Sequence, residues 1–501
     1  MCNLLGAVIV RQSKLLAIAA VSFLTLAACG GGGGSADPSA STNAPLATGK
    51  VALLITDAPT DAFCQILATV RQVDLLGGSS PTTVFNGPMT IDLLRLRNYT
   101  DFFSVNTEVP IGSYSKVRLT LDDLALVECD AAGTPEPASG WEHPHLPGNG
   151  KLDLNPRGAF QVVGGETLVI RFDMDMAKSL HLHQTGNGKW QFRPVIFCDI
   201  KPAHDKLVRV FGTARNVSGT QFELCPLRPV AAPTGNTSTP SGECLDVFTD
   251  ANTGIFNSAG TRVGPDAVVN GDLLTAIGFV TLFDDADADS RLDDLRLDAV
   301  VAELGAAGTF KRIVGRVVSA PGNNDIFVFS PLLLPTPVSA TTSGIDVRLQ
   351  AGTRIFSFGS NAELGSAALQ PSTMGTVDGV FTIPATSGEP LKSSLIVLEP
   401  NTTPAVALYS AVIQSPIVAD DDAVPATRRL TVNTATLTNK CVKTDAGTRY
   451  LLITETPDTS DTTQITFADL AAGNTVDVFG ADDVIDTACV LADTIQKYMT
   501  P

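Results

Sequence analysis

Val208-Arg209-Val210-Phe211-Gly212-Thr213-Ala214 is the stretch from which the fold of this chain is read, because it returns twice in looser form. Its counterparts are Arg312-Ile313-Val314-Gly315-Arg316-Val317-Val318 and Val406-Ala407-Leu408-Tyr409-Ser410-Ala411-Val412, and all three read as opening strands of successive units. Thr253-Gly254-Ile255-Phe256 and Thr353-Arg354-Ile355-Phe356 match each other within the first two copies, and the third copy is read as lacking this element. Later in the copies come Gly271-Asp272-Leu273-Leu274-Thr275-Ala276-Ile277-Gly278, Gly375-Thr376-Val377-Asp378-Gly379 and Gly473-Asn474-Thr475-Val476-Asp477-Val478-Phe479-Gly480. A recurring unit of this size, built from short strands, predicts repeated small barrels or sandwiches.

Upstream of these units the same texture begins at Lys50: short Val/Ile/Leu/Phe/Thr runs separated by Gly, Pro, Asn and Asp, the pattern of an all-β chain. Val51 to Thr56, Ile66 to Leu76, Thr82 to Phe85, Tyr114 to Leu121, Thr167 to Phe172 and Trp190 to Ile200 read as strands, and Leu93 to Phe103 as the one short helix. With 501 residues and 44% hydrophobic content the chain can bury several cores. The expected architecture is an N-terminal β-sandwich over residues 47–203, then three small β modules over 204–306, 307–402 and 403–501.

Residues 1–28 read as a lipoprotein signal peptide. Arg11 and Lys14 form a basic lead, Leu15 to Thr25 is an apolar run too short to span a bilayer stably, and Leu26-Ala27-Ala28-Cys29 is a lipobox. Cleavage before Cys29 would leave an acylated amino-terminal cysteine, and several acyl chains hold a protein on a membrane where one does not. Gly30 after that cysteine, rather than Asp, resembles the bacterial lipoproteins that pass to the outer membrane. Residues 29–46, opening Gly30-Gly31-Gly32-Gly33-Gly34-Ser35, are too poor in apolar side chains to fold and read as a flexible stalk.

The formal net charge is −18, and losing the signal, with its two basic residues and no acid, makes it −20. Such a surface repels phosphate backbones and anionic headgroups, which argues against nucleic acid as a partner and leaves the lipid as the membrane grip. Of nine cysteines, Cys2 is lost with the signal and Cys29 is taken by lipid; seven remain, so at least one thiol has no partner within the chain. An exported protein meets an oxidising compartment, where Cys225 with Cys244 closes a Pro/Thr/Ser/Gly-rich excursion and Cys441 with Cys489 is the second expected pair. Two of Cys64, Cys129 and Cys198 form a third, with the choice open. No Cys-x-x-Cys occurs, so thioredoxin chemistry, zinc ribbons and c-type haem have no support.

Residues 50–202 carry Leu53-Leu54-Ile55-Thr56-Asp57-Ala58-Pro59, Val73-Asp74-Leu75-Leu76-Gly77, Val109-Pro110-Ile111-Gly112-Ser113-Tyr114 and Phe172-Asp173-Met174-Asp175 in that order. Lys178-Ser179, Gln184-Thr185-Gly186-Asn187-Gly188-Lys189-Trp190 and Arg193-Pro194-Val195-Ile196 follow. With these motifs the region resembles the exported bacterial and archaeal family called domain of unknown function 4382. The resemblance implies an extracytoplasmic transthyretin- or immunoglobulin-like β-sandwich and no particular reaction. The later copies more weakly resemble small barrel-like repeats of unknown function that often follow this domain in lipoproteins.

Candidate chemistry is sparse. His143-Pro144-His145 and His181-Leu182-His183 hold four of the five histidines; two apart on a strand, His181 and His183 face one way and could chelate zinc or copper, with Glu142 or Asp175 as an oxygen ligand. The competing reading is a pair of exposed loop or edge-strand histidines. Asp285, Asp287, Asp289 and Asp293 stand at positions one, three, five and nine of a calcium-type loop, but Ser290 replaces the turn glycine and Arg296 the bidentate glutamate, so a solvated acidic hairpin is favoured. Gly148-Asn149-Gly150-Lys151 and Gly186-Asn187-Gly188-Lys189 lack the spacing of a phosphate loop and read as turns. There is no Gly-x-Ser-x-Gly elbow and no His-Glu-x-x-His. The sequence therefore points to a non-enzymatic, lipid-anchored envelope protein presenting β modules to an envelope or extracellular protein or glycan. A metal-binding lipoprotein is the alternative, and an enzyme acting on envelope polymers comes third.

Overall fold

The computed structural model describes residues 47–57, 63–78, 80–129, 135–182, 190–201, 206–229, 238–240, 244–283, 294–322, 324–332, 344–359, 362–381, 390–399, 405–414, 418–419, 428–456, 458–483 and 485–499. Strand dominates throughout. The first region contains β1 (Thr48–Asp57), β2 (Gln65–Leu76), β3 (Thr82–Asp92), β4 (Tyr99–Pro110), β5 (Gly112–Tyr114), β6 (Lys116–Val127), β7 (Lys151–Asn155), β8 (Phe160–Val162) and β9 (Thr167–Met174). It closes with a single helical turn, α1 (Met176–Ser179), then β10 (Leu180–Leu182), β11 (Trp190–Phe192) and β12 (Ile196–Ile200).

These strands make a two-layer sandwich. One layer runs β12-β9-β1-β4 and the other β7-β6-β2-β3, with the small pairs β5-β8 and β10-β11 beside them. Leu53, Ile55, Phe103, Ile170 and Phe172 from the first layer meet Ile66, Val70, Val73, Leu119 and Leu121 from the second in one apolar core. The unbroken run Val51-Ala52-Leu53-Leu54-Ile55 has a physical reason: Val51, Leu53 and Ile55 face that core, whereas Ala52 and Leu54 join a different cluster on the other side of the layer. A strand buried on both faces has no solvent side to mark with polar residues.

The expected helix over Leu93 to Phe103 does not form. Only Leu93–Leu96 turns, as one 3-10 turn whose N-cap, Asp92, accepts the Leu94 N–H, and from Tyr99 the chain is strand β4. Leu93, Leu96, Tyr99 and Phe103 are all buried, so tertiary burial decides what local spacing left ambiguous. The run from Trp190 to Ile200 is likewise two strands, β11 and β12, parted at Arg193-Pro194-Val195.

The rest of the chain adds β13 (Leu207–Ser218), β14 (Gln221–Pro229), β15 (Ser238–Pro240), β16 (Leu245–Phe248), β17 (Gly254–Phe256), β18 (Arg262–Val263), β19 (Leu273–Phe283) and β20 (Asp294–Leu304). Next come β21 (Lys311–Val317), β22 (Ile326–Pro331), β23 (Ile345–Ser357), β24 (Met374–Val380) and β25 (Leu391–Leu398). Last are β26 (Ala405–Ile413), β27 (Val418–Ala419), β28 (Arg428–Asn433), β29 (Lys440–Glu455), β30 (Ser460–Gln464), β31 (Thr475–Asp482) and β32 (Cys489–Met499).

Their pairings run round three rings of the same order. Barrel 1 is β13-β14-β16-β20-β19 and back to β13; barrel 2 is β21-β22-β23-β25-β24; barrel 3 is β26-β28-β29-β32-β31. Counted in chain order, the third and fifth strands of each ring are parallel and every other pair is antiparallel. A 3-10 turn precedes the fourth strand each time, at Pro265–Ala267, Ser366–Ala368 and Phe467–Asp469. This is the five-stranded Greek-key barrel order of oligonucleotide- and oligosaccharide-binding folds.

The third strand breaks at one place in all three barrels, and a threonine bridges the break. Thr253, Thr353 and Thr448 each donate a hydroxyl to the fifth strand, to the carbonyls of Ala299, Ser393 and Ala492 at 2.8, 2.7 and 2.7 Å. Each also accepts the N–H three residues back, from Asp250, Gln350 and Asp445. The third copy thus has its Thr element after all, written Thr448-Arg449-Tyr450-Leu451. A tyrosine and a leucine in place of Ile-Phe hide it from a motif search. A second shared device is the glycine in the fourth strand: a Cβ at Gly278, Gly379 or Gly480 would lie 2.1–2.3 Å from a carbonyl oxygen of the fifth strand. No other residue fits so close a backbone crossing.

The barrels join the sandwich in two ways. Leu207–Arg209 of β13 lie parallel to Tyr99–Asp101 of β4, so the first sandwich layer runs on into barrel 1. β30 lies parallel to β7, so the second layer runs on into barrel 3. Barrel 2 pairs no strand outside itself among the described residues.

Candidate functional site

Most of the sequence-derived candidates fall outside the described residues. Cys29, His183, Asp285, Asp287, Asp289 and Asp293 do so, with the signal and stalk, and so does the His181 side chain, whose backbone lies in β10. His143 is described: its Nδ1 is 2.9 Å from Asp123 Oδ1 at the surface. Asp175 is spent on structure, accepting the Lys178 N–H as N-cap of α1 and pairing with the Lys178 ammonium. Cys225 is joined to Cys244, Cys441 to Cys489 and Cys64 to Cys129, and the Cys198 thiol is free and buried, which raises its pKa. Among the described residues the one grouping of three metal-type ligands is Cys441, Asp486 and Cys489. Its two sulfurs are bonded to each other, so no thiolate is offered there.

Two of the polar clusters among the described residues tie modules together through several buried and half-buried charges. The first stands where β1 and β9 end. Asp57 is fully buried and its Oδ1 accepts the Met176 N–H at 2.9 Å, fastening β1 to the start of α1. Burial, with Asp175 and Asp173 nearby, pushes its carboxyl well above the usual range. Burial works the same way on Asp173, but Lys206, Arg449 and Arg171 overcome it and hold this carboxyl low. Ser179 donates to the Asp175 carbonyl at 2.6 Å and accepts the Val195 N–H at 2.8 Å. Arg449 of barrel 3 lies over the Phe197 ring and bonds Asp173 at 2.8 Å and Asp199 at 3.0 Å.

The second cluster lies where the sandwich, barrel 1 and barrel 2 meet. Asp378, on β24, accepts from three directions: Tyr99 Oη at 2.6 Å, Arg209 Nη1 at 3.0 Å and Arg312 Nε at 3.2 Å. The Arg312 guanidinium also stands 3.8 Å over the Tyr99 ring. Glu303, on β20, takes Arg209 Nη2 at 3.3 Å and lies 2.6 Å from Ser394 Oγ. Asp378 and Glu303 are sealed from solvent. Burial opposes ionisation of Asp378, yet Arg312 and Arg209 lower its pKa; burial, with the like charge of Asp378, raises Glu303 to about 7 against the opposing pull of Arg209, Ser394 and Arg312. Around the charges lie Ile277, Val301, Phe256, Phe356, Val380, Leu395 and Val397, an apolar core shared by the two barrels. At its rim Arg97 grips Glu399 with two bonds of 2.7 and 3.2 Å.

Equivalent residues do equivalent work here. Arg209 and Arg312 each stand three places before the glycine of their opening strand, and both reach Asp378. Arg354 and Arg449 each follow the bridging threonine, and each leaves its own barrel: Arg354 bonds the Asn252 carbonyl of barrel 1, Arg449 the sandwich. In barrel 1 that place is Gly254, where a Cβ would lie 2.5 Å from the Gly352 carbonyl of barrel 2. The cleft beside this junction, lined by Asn98, Lys206, Phe279, Phe356, Phe358 and Val397, holds about 10 Å³. That is room for about one water, whereas ligand pockets run to hundreds of Å³.

Residues 48–194 match the family model described as Domain of unknown function (DUF4382). No curated protein and no solved structure matches the chain. The DUF4382 match holds Asp57, Asp173, Asp175, Ser179 and Tyr99, and ends before β12 and all three barrels. Three described motif residues of the DUF4382 region tie the sandwich together by hydrogen bonds, Asp57 to α1, Ser179 to Val195 and Tyr114 Oη to the Pro110 carbonyl at 2.9 Å, while Leu53, Ile55, Val73, Leu75 and Phe172 fill its core. Sequence reading passed over Tyr99, Glu303 and Asp378. The available signal was a lone carboxylate between Val377 and Gly379 in an otherwise apolar run.

Proposed function

We propose that this chain is a non-enzymatic, lipid-anchored cell-envelope protein that holds three small barrels in a fixed arrangement for recognition of an envelope or extracellular protein or glycan. The observation that carries the reading is the way the barrels are held: two continue the sandwich layers through backbone pairing, and the third is clamped by a buried ionic junction. Among the described residues, the buried carboxyls of Asp378 and Glu303 and the half-buried one of Asp173 lie on module boundaries, which suits a scaffold. Barrels of this order bind with the face of their second and third strands and the loops beside it. In barrel 2 the loop after β21 exposes Val318, and in barrel 3 the turn between β31 and β32 exposes Ile485 at 90%. Three disulfides agree with export to an oxidising compartment, and the acidic surface disfavours nucleic acid.

Fractionation of cells making the wild-type protein or Cys29→Ser tests the anchor: the wild type is expected in the membrane pellet and the variant in the soluble fraction. A variant that stays with the membrane refutes the anchor. Saturable binding of the purified protein to isolated envelope polysaccharide or surface protein, lost when Val318 and Ile485 are replaced by Asp, is expected for the recognition role. Absence of binding to every envelope fraction refutes that role.

A further inference from the structure

Three carboxyls and two guanidiniums share the junction of sandwich, barrel 1 and barrel 2. The carboxyls are Asp378, Glu303 and the half-buried Asp101; the cations are Arg209 and Arg312. Asp378 draws on both cations and on the Tyr99 hydroxyl. Glu303 is left with one contact to Arg209, at 3.3 Å, and an oxygen neighbour, Ser394 Oγ, at 2.6 Å. That serine oxygen also stands 3.1 Å from the Asp378 carbonyl oxygen. A serine carries one hydroxyl hydrogen, and it cannot serve two oxygens at once. If Glu303 is protonated, its O–H donates to Ser394 Oγ and the Ser394 O–H donates to the Asp378 carbonyl, so the chain of bonds runs without a gap from barrel 1 into barrel 2. If Glu303 is ionised, Ser394 must turn its hydrogen to it, the bond to the Asp378 carbonyl inside barrel 2 is given up, and the sealed seam between the barrels holds one more negative charge beside Asp378, which opening the seam to water relieves.

We propose that Glu303 holds a proton in this junction and that the proton is a latch: with it barrels 1 and 2 are locked face to face, and its loss as pH rises loosens them. Burial and the like charge of Asp378 favour the proton on Glu303, and outweigh Arg209, Ser394 and Arg312, which favour its loss. Arg209 reaches it from β13, Thr275 stands opposite it on β19, Ser394 comes from β25, and Asp378 from β24 adds a like charge. Arg312 from β21 acts on it from farther off, and Tyr99 and Asp101 on β4 share Arg209 with it. The sign follows from the raised pKa of Glu303, which burial lifts from 4.5 to about 7. The junction binds this proton more tightly than the opened chain does, so its contribution is complete below pH 4.5 and is lost as pH climbs through 7. Asp378, held low, asks the reverse and weakens the junction only in acid below its ordinary 3.8.

Hydrogen exchange of the full-length protein, read by mass spectrometry from pH 5 to 8 and corrected for intrinsic rates, tests the latch. Peptides covering β20, β24 and β25 are expected to lose protection on the order of a hundredfold across that range while peptides of barrel 3 do not. In Glu303→Gln, neutral at every pH, that loss is expected to disappear. Equal pH dependence in wild type and variant, or flat protection of these strands in the wild type, overturns the proposal. Should the variant fail to fold, the wild-type profile decides alone.

Discussion

Barrels 2 and 3 have the same strand order and the same threonine bridge, yet they are attached by different physics. Barrel 3 continues a sandwich layer through β30 and β7, and adds Arg449 on Phe197, Asp173 and Asp199. Barrel 2 pairs no outside strand among the described residues and relies on side chains: Arg209, Arg312, Asp378, Tyr99 and the apolar core around them. Backbone pairing between strands spreads its stabilisation over many bonds, so one side-chain change costs it little, roughly 0.2–1 kcal/mol per cross-strand pair. An ionic junction depends on each of its members, and removing one partner of a buried pair costs far more than the pair contributes. Barrel 2 is therefore the part of this molecule that single substitutions, or one proton, can detach.

The largest effect should come from Asp378→Ala, which leaves two guanidiniums facing each other across the junction. It is expected to weaken barrel 2 and its contact with barrel 1 by about 3–5 kcal/mol, seen as an early transition in denaturant unfolding, with barrel 3 unchanged. An Asp378→Ala protein with wild-type unfolding would mean that the apolar core holds barrel 2 unaided. Reduction with dithiothreitol should act in the opposite pattern. Barrels 1 and 3 each carry a disulfide and residues 307–402 contain no cysteine, so reduction is expected to lower the stability of barrels 1 and 3 by about 2–4 kcal/mol each and to spare barrel 2. Peptide-resolved exchange under reducing conditions checks this.

Smaller and equal effects are expected where the two barrels are alike. Thr448→Val and Thr353→Val each remove a hydroxyl that bridges the third and fifth strands, and each should cost about 1–2 kcal/mol in thermal or urea unfolding. A large difference between them would undo the equivalence drawn between Thr448-Arg449-Tyr450 and Thr353-Arg354-Ile355.

That equivalence also marks how far the sequence could be read. The all-β class was legible because apolar runs of strand length recur between turn residues, and repeated units because Gly212 and Gly315 fall in matching runs. The glycines at 278, 379 and 480 sit where backbones cross, a constraint that leaves a mark in sequence. Thr448 was missed because the requirement there is for a hydroxyl at a strand break, and the residues after it are free to vary within a buried set. Tyr99 was missed for another reason: its apolar and aromatic neighbours suit a helix as well as a strand, and only its place on Asp378, 279 residues away, explains it. Glu303 looks like an ordinary solvent-facing charge of an alternating strand, and although Asp378 stands alone in an apolar run, nothing local tells that another barrel covers either of them.

Differential scanning calorimetry of the full-length protein, wild type against Asp378→Ala, tests the central claim most directly. A fixed assembly clamped at Asp378 predicts that barrel 2 melts together with barrel 1 and the sandwich in the wild type, and that a separate low-temperature transition splits off in the variant. A wild-type protein whose barrel 2 already melts by itself, at the same temperature as in the variant, would contradict it.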